Sequence, residues 1–141
     1  MTIPVWALLG FAAWTLLILI GPIGLYRWSC ILMDHAPVAS WRPDGQQGSE
    51  WYRRAVRAHM NCLENLPIYT AIVVTLLVTG VTGPILDALA ITILVARICQ
   101  SSIHMALAQT NAIVAVRFAF FFVQALCMIA MGAIVALSVL G

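Results

Sequence analysis

Read for its apolar and polar positions, the chain divides into four long apolar segments separated by three polar interruptions. From Met1 to Tyr26 no residue is charged, and the apolar stretch continues past Arg27 to Met33. That exceeds the ~20 residues a helix needs to cross the hydrocarbon of a bilayer. No basic residue precedes it and it is longer than the apolar region of a signal peptide, so the segment is expected to stay in the mature protein. Gly21-Pro22 should kink it, because proline withholds a backbone donor and crowds the preceding turn. Asp34 to Glu50 is the one stretch with loop chemistry: Pro37, Pro43, the turn-forming Asp44-Gly45 and Gly48 punctuate it, with no helical apolar period. A second helix is expected over about 49–80, polar as far as Asn65 and apolar from Leu66, and it should stop at Gly80-Val81-Thr82-Gly83-Pro84. The third is expected over about 85–108 and the fourth over about 111–140, joined by Gln109-Thr110-Asn111. Such short links make antiparallel neighbours. The pattern therefore predicts one all-α domain over 1–141, a transmembrane four-helix bundle with residues 34–48 as its loop.

Composition sharpens this reading. Of the 141 residues, 63% are hydrophobic and only 9% charged, against roughly 25% charged in soluble domains, so lipid is the partner that bulk chemistry implies. A formal net charge of +2 is too small to suggest nucleic acid. Loop one and its flanks hold Arg27, Arg42, Arg53, Arg54 and Arg57, the third link lies between Arg97 and Arg117, and the second link has no basic residue. By the positive-inside rule, loops one and three are expected to face the cytoplasm and both termini the other side. Cys30, Cys62, Cys99 and Cys127 lie far apart in or beside apolar segments, without disulfide or zinc spacing, and read as small packing residues. The three histidines show no metal-ligand spacing, so no metal site is expected. Trp6, Trp14, Trp28, Trp41 and Trp51 are mostly placed where an interfacial belt and the loop would put them.

The chemistry sits inside the spans. At about 100° per residue, Arg54, Arg57, Asn61, Glu64 and Asn65 share an arc of about 100° on the second helix. Arg97, Gln100, Ser101 and His104 share an arc of similar width on the third. The two stripes should face each other or a subunit interface. A charge at the centre of a membrane helix costs roughly 2.5–3.5 kcal/mol, so Arg57, Glu64 and Arg97 must be paired or line a wet pocket. A plain structural reading has Glu64 neutralise Arg57 or Arg97, the network then only fixing helix register and assembly. Against it, Arg53, Arg54, Arg57, Arg97 and Arg117 outnumber Glu50 and Glu64, and an excess of buried guanidinium invites an anionic ligand. Arg117 stands about two turns into the fourth helix, where the helix dipole favours negative charge. It makes sense beside a docked carboxylate or thiolate, or as a side chain snorkelling to the interface. His59 falls on the far side of the second helix from the stripe and reads as structural. The run Phe118, Phe120, Phe121, Phe122 reads as lipid or packing contact, or as the wall of an apolar substrate groove.

The run Arg57-Ala58-His59-Met60-Asn61-Cys62-Leu63-Glu64-Asn65-Leu66-Pro67 resembles the helix-two signature of the MAPEG family, the membrane-associated proteins in eicosanoid and glutathione metabolism. Ala96-Arg97 resembles the family's third helix and Val116-Arg117-Phe118 its fourth-helix arginine. The resemblance implies a homotrimer of four-helix subunits that holds glutathione between neighbours near the cytoplasmic face. It further implies that Arg54, Arg57, Asn61, Glu64, Arg97, Gln100 and His104 bind the tripeptide, Glu64 through its amino end, while Arg117 acts catalytically by stabilising the thiolate. Glutathione enters as co-substrate, with no metal, and a small hydrophobic electrophile arrives from lipid. The membrane would be the plasma membrane of a bacterium or the endoplasmic reticulum of a eukaryote. The sequence also departs from the family pattern: Gln100 and His104 stand where a tyrosine or histidine is usual, Phe121 stands where a tyrosine is expected, and the interval from His104 to Arg117 is long. These departures argue against an eicosanoid synthase. Two readings follow, a membrane glutathione transferase, with peroxidase activity as a variant of the same chemistry, and a non-catalytic lipid-binding or scaffold member.

Overall fold

The computed structural model describes residues 1–35, 37–41 and 47–140. Arg42, Pro43 and the Asp44-Gly45 turn therefore lie outside the described residues. Four helical spans are long and apolar enough to cross a membrane: Ile3–Met33, Glu50–Thr79, Pro84–Ala106 and Asn111–Leu140. The first comprises α1 (Ile3–Ile18), a π-helical segment (Leu19–Leu25) and α2 (Tyr26–Met33); the others are α3, α4 and α5. Pro22 does not break the first span. The turn widens around it, and Gly24 admits this because a Cβ there would lie 3.1 Å from the Leu19 carbonyl oxygen.

The helix ends follow from local chemistry. The Ser49 hydroxyl accepts from the Tyr52 N–H at 3.3 Å and caps α3. Gly80, in the left-handed region at φ 69°, closes the same helix where a side chain would be strained. Hydroxyls within the spans are kept from lipid by donating to the carbonyl four residues back, as Thr70, Thr75, Thr79, Thr92 and Ser138 all do.

The helix α4 packs against α1, α3 and α5, and α3 also contacts α1 and α5. Between them lies a core of Phe11, Ile18, Tyr69, Val73, Ile93 and Met131. Phe11 and Tyr69 stack at 6.1 Å, and the Tyr69 hydroxyl donates to the Pro4 carbonyl at 3.3 Å, tying α3 to the start of α1. At the opposite end Tyr26 stacks on Tyr52 at 4.8 Å, Trp41 meets both rings edge-on, and the Arg27 guanidinium lies 5.7–5.9 Å from the Tyr52 and Trp41 rings. Arg27 Nε also donates to the Tyr52 hydroxyl. This aromatic knot fixes the polar head of α3 against α2.

Candidate functional site

The polar stripe of α4 turns wholly inward: Arg97, Gln100, Ser101 and His104 are all buried. The stripe of α3 does not. Arg54, Asn61 and Asn65 are partly buried, whereas Arg57 and Glu64 are exposed. On a helical wheel Arg57 and Glu64 lie about 60–80° from Arg54, towards one edge of the arc. The α3–α4 contact covers one edge of the stripe and leaves the other on the outside of the chain.

Arg97 is the largest of the fully buried side chains, at 1% exposure. Its Nη1 donates to Asn61 Oδ1 at 2.6 Å, and its guanidinium carbon lies 5.2 Å from the centre of the Phe11 ring. Nε and Nη2 have no hydrogen-bond partner among the described residues. Asn61 is itself braced by Asn65, whose amide donates to the Asn61 carbonyl at 2.8 Å. Ser101 donates to the Arg97 carbonyl at 2.7 Å and accepts from Trp14 Nε1 at 2.7 Å. Trp14, partly buried, is thus packed against the core and tied to α4. His59 donates through Nδ1 to the Thr15 carbonyl at 3.2 Å, a tether to α1 on the far side of α3, as its position outside the stripe suggests.

Glu64 makes no direct ion pair with Arg57 or Arg97 among the described residues, and acts on the Arg97 charge only through space. Among the described residues the one ion pair is Arg54–Glu50, at 3.9 Å with Glu50 largely exposed, and such a pair contributes little. Glu64 fails to pair because it shares the outward edge of α3 while Arg97 is held inside by Asn61. Arg57 is exposed on that edge, its Nε donating only to the Arg53 carbonyl at 3.4 Å.

A second cluster forms where the polar ends of α3, α4 and α5 converge. Arg54, Arg57 and Arg117 all stand close enough to His104 to act on its charge, and Arg57 acts likewise on Arg117. Arg54 Nε donates to the Met105 carbonyl at 3.3 Å, filling an orphan acceptor near the end of α4. Arg117 Nε is buried without a hydrogen-bond partner among the described residues. The Arg117 backbone is held by Gln100, whose Nε2 donates to its carbonyl at 3.2 Å, and Gln100 Oε1 accepts from Gln124 Nε2 at 3.0 Å. With Arg54 bonded beside His104 at the end of α4, Arg117 held to the same helix by Gln100, and no carboxylate on Arg57 or Arg117 among the described residues, this end of the bundle can receive an anion. Nothing among the described residues brings together three metal-ligating side chains.

The cluster thus gathers Arg54, Arg57, Gln100, His104 and Arg117, with Arg97 and Asn61 forming a separate buried couple and Glu64 facing outward. Phe118 and Phe122, exposed beside Arg117, stack at 6.3 Å. An apolar groove of about 500 Å³ between α3 and α5, lined by Ala71, Thr75, Gly132 and Ala136 among others, begins about four turns beyond Arg57 along α3 and takes no part in the polar cluster. Sequence reading passed over Gln124, fully buried and the lone amide in α5 after its first residue. An isolated polar side chain deep in an apolar span is the signal that marks it.

No curated protein and no solved structure matches the chain. The model of the MAPEG family, which includes glutathione transferases and other members, matches residues 3–137, nearly the whole length. Taken with four membrane-spanning helices, no strand among the described residues, and the polar stripes on α3 and α4, this match makes the chain an integral multi-pass membrane protein that belongs to the MAPEG family.

Proposed function

We propose that this protein is a membrane-bound glutathione transferase that conjugates glutathione to hydrophobic electrophiles, with peroxidase activity open to the same activated thiol. The observation that carries the reading is the gathering of Arg54 and Arg117 at the His104 end of α4, through the bonds from Arg54 to the Met105 carbonyl and from Gln100 to the Arg117 carbonyl, with no carboxylate partner on Arg57 or Arg117 among the described residues. Glutathione carries two carboxylates and a thiol, and matches that excess of positive charge. Arg54 and Arg57 receive the carboxylates, with Gln100 and His104 shaping the cleft. Arg117, whose Nε is unpartnered, stabilises the thiolate. A free thiol has a pKa of about 8.5, and a fixed guanidinium beside it raises the thiolate fraction at neutral pH. The thiol proton leaves to solvent, the sulfur forms a bond to the electrophilic carbon, and the leaving group departs with the electron pair of the bond that breaks. Apolar electrophiles reach the sulfur sideways from lipid past Phe118 and Phe122.

Glu64 and Arg57 remain exposed on the flank of a membrane span, where an uncovered carboxylate is costly. A second copy of the chain covering that edge removes the cost and closes the site, and the family resemblance implies three copies. Glu64 then meets the amino end of a tripeptide bound between neighbours. A non-catalytic scaffold is the competing reading. It is favoured by the internal contacts of Arg97 with Asn61 and Phe11, which hold one face of the guanidinium without a ligand, and by Phe121 in place of a hydroxyl. Isothermal titration of the purified trimer with glutathione separates the two. Saturable heat supports the transferase, and its absence at millimolar glutathione leaves the scaffold.

A further inference from the structure

We infer that Gln124 is a positioning residue for Arg117. This rests on the glutathione reading above and adds to it a residue with no place in the proposed binding of the tripeptide. Gln124 lies seven residues beyond Arg117 on α5, two turns along the same face. It is fully buried, and its single amide nitrogen makes two hydrogen bonds at 3.0 Å, one to Gln100 Oε1 on α4 and one to the Phe120 carbonyl on its own helix. Gln100 completes the bridge by donating through its own amide to the Arg117 carbonyl at 3.2 Å. The path from Gln124 to Arg117 therefore runs across to α4 and back.

The consequence is geometric. The two amides bolt α5 to α4 at two levels, at Gln124 and at the Arg117 backbone, and so fix both the rotation of α5 and its height beside His104. Apolar packing alone resists sliding and rotation weakly in lipid, where helices have no hydrophobic drive to associate. A polar bridge has one register. The arrangement also carries a penalty, since Gln124 Oε1 is buried with no donor, and an unmet acceptor is destabilising. Leucine or methionine at this position would fill the same space without that penalty. An amide here is accounted for by what it does for Arg117. Replacing it leaves Gln100 to reach the Arg117 carbonyl with its amide no longer oriented by Gln124, so α5 can drift at Arg117, and a drift of about 1 Å at a charge aimed at sulfur is felt in the reaction more than in ground-state binding.

The test compares wild type with Gln124→Leu, which removes both hydrogen bonds at nearly constant volume, and with Gln124→Asn, which keeps an amide too short to reach Gln100. Each protein, purified as the intact assembly, is titrated with pH in the presence of glutathione while thiolate absorbance is followed, and turnover of chlorodinitrobenzene is measured alongside. The expected result for both variants is a bound-thiol pKa raised by about one unit, kcat lowered about tenfold, and KM for glutathione within about twofold of wild type. If the variants match wild type in thiol pKa and kcat, the positioning role is refuted while the glutathione reading stands. A parallel loss of glutathione affinity and kcat with an unchanged thiol pKa also refutes it, since that pattern belongs to a residue that only supports the fold. If Gln124→Leu does not assemble, Gln124→Asn decides. No thiolate signal in wild type overturns the glutathione reading and this inference with it.

Discussion

Asn61→Ala isolates the buried couple on which the inner half of the site depends. In the folded protein Arg97 is 1% exposed and its one short side-chain hydrogen bond, 2.6 Å, goes to Asn61 Oδ1, with Nε and Nη2 unpartnered. Neutral hydrogen bonds between membrane helices average ~0.6 kcal/mol, and a charged donor roughly doubles that. Removing the acceptor also leaves a buried guanidinium with less compensation, which costs more than the bond itself. Together these give about 2 kcal/mol of destabilisation, a shift of roughly 30-fold in the folding equilibrium at 1.36 kcal/mol per tenfold. Arg97→Met in the same background removes the stranded charge and should recover most of the loss, because an apolar side chain of similar size is at home beside Phe11. The assay is reversible unfolding in mixed micelles with increasing dodecyl sulfate, followed by helical circular dichroism. Were Asn61→Ala to fall within about 0.5 kcal/mol of wild type, or Arg97→Met to deepen the loss, the Asn61–Arg97 bond would not be what holds the buried charge.

Topology and assembly are open to equally direct tests. A cysteine probe placed between Gly80 and Gly83 should be labelled by an impermeant reagent from outside intact cells, while one between Asp44 and Gly48 should not; the reverse would put the arginine cluster on the wrong side. Purified protein should scatter light as a trimer after correction for detergent, and Glu64→Gln should shift it towards smaller species and weaken glutathione binding at least about tenfold, the loss of one charged contact. Normal assembly and binding in Glu64→Gln would show that the outward edge of α3 is not an interface.

Much of this architecture was open to reading from the residues alone. The spans are set by length against bilayer thickness, and the ends of α3 by Ser49 and Gly80, whose capping roles are local. The polar stripes were visible for the same reason, since they depend on one helix at a time. What one helix cannot reveal is where the boundary of its contact with the next one falls. Asn61 and Glu64 are three residues apart and about 60° apart on the wheel, yet one turns in to hold Arg97 and the other turns out. That boundary is set by how α4 packs on α3. The bond from Trp14 to Ser101 was hidden for a related reason, because it is made across 87 positions of sequence. The bridge from Gln124 through Gln100 to Arg117 likewise exists only once α5 lies against α4.

Whether Arg117 activates a bound glutathione thiol is decided by a thiolate absorbance titration of wild type and Arg117→Ala with glutathione bound. A guanidinium at contact distance lowers a thiol pKa by about one to three units. Arg117→Ala should raise the bound-thiol pKa by that amount and slow conjugation of an aromatic electrophile roughly 10- to 1000-fold, with glutathione binding much less affected. Equal thiol pKa values and equal rates in the two proteins would contradict the claim.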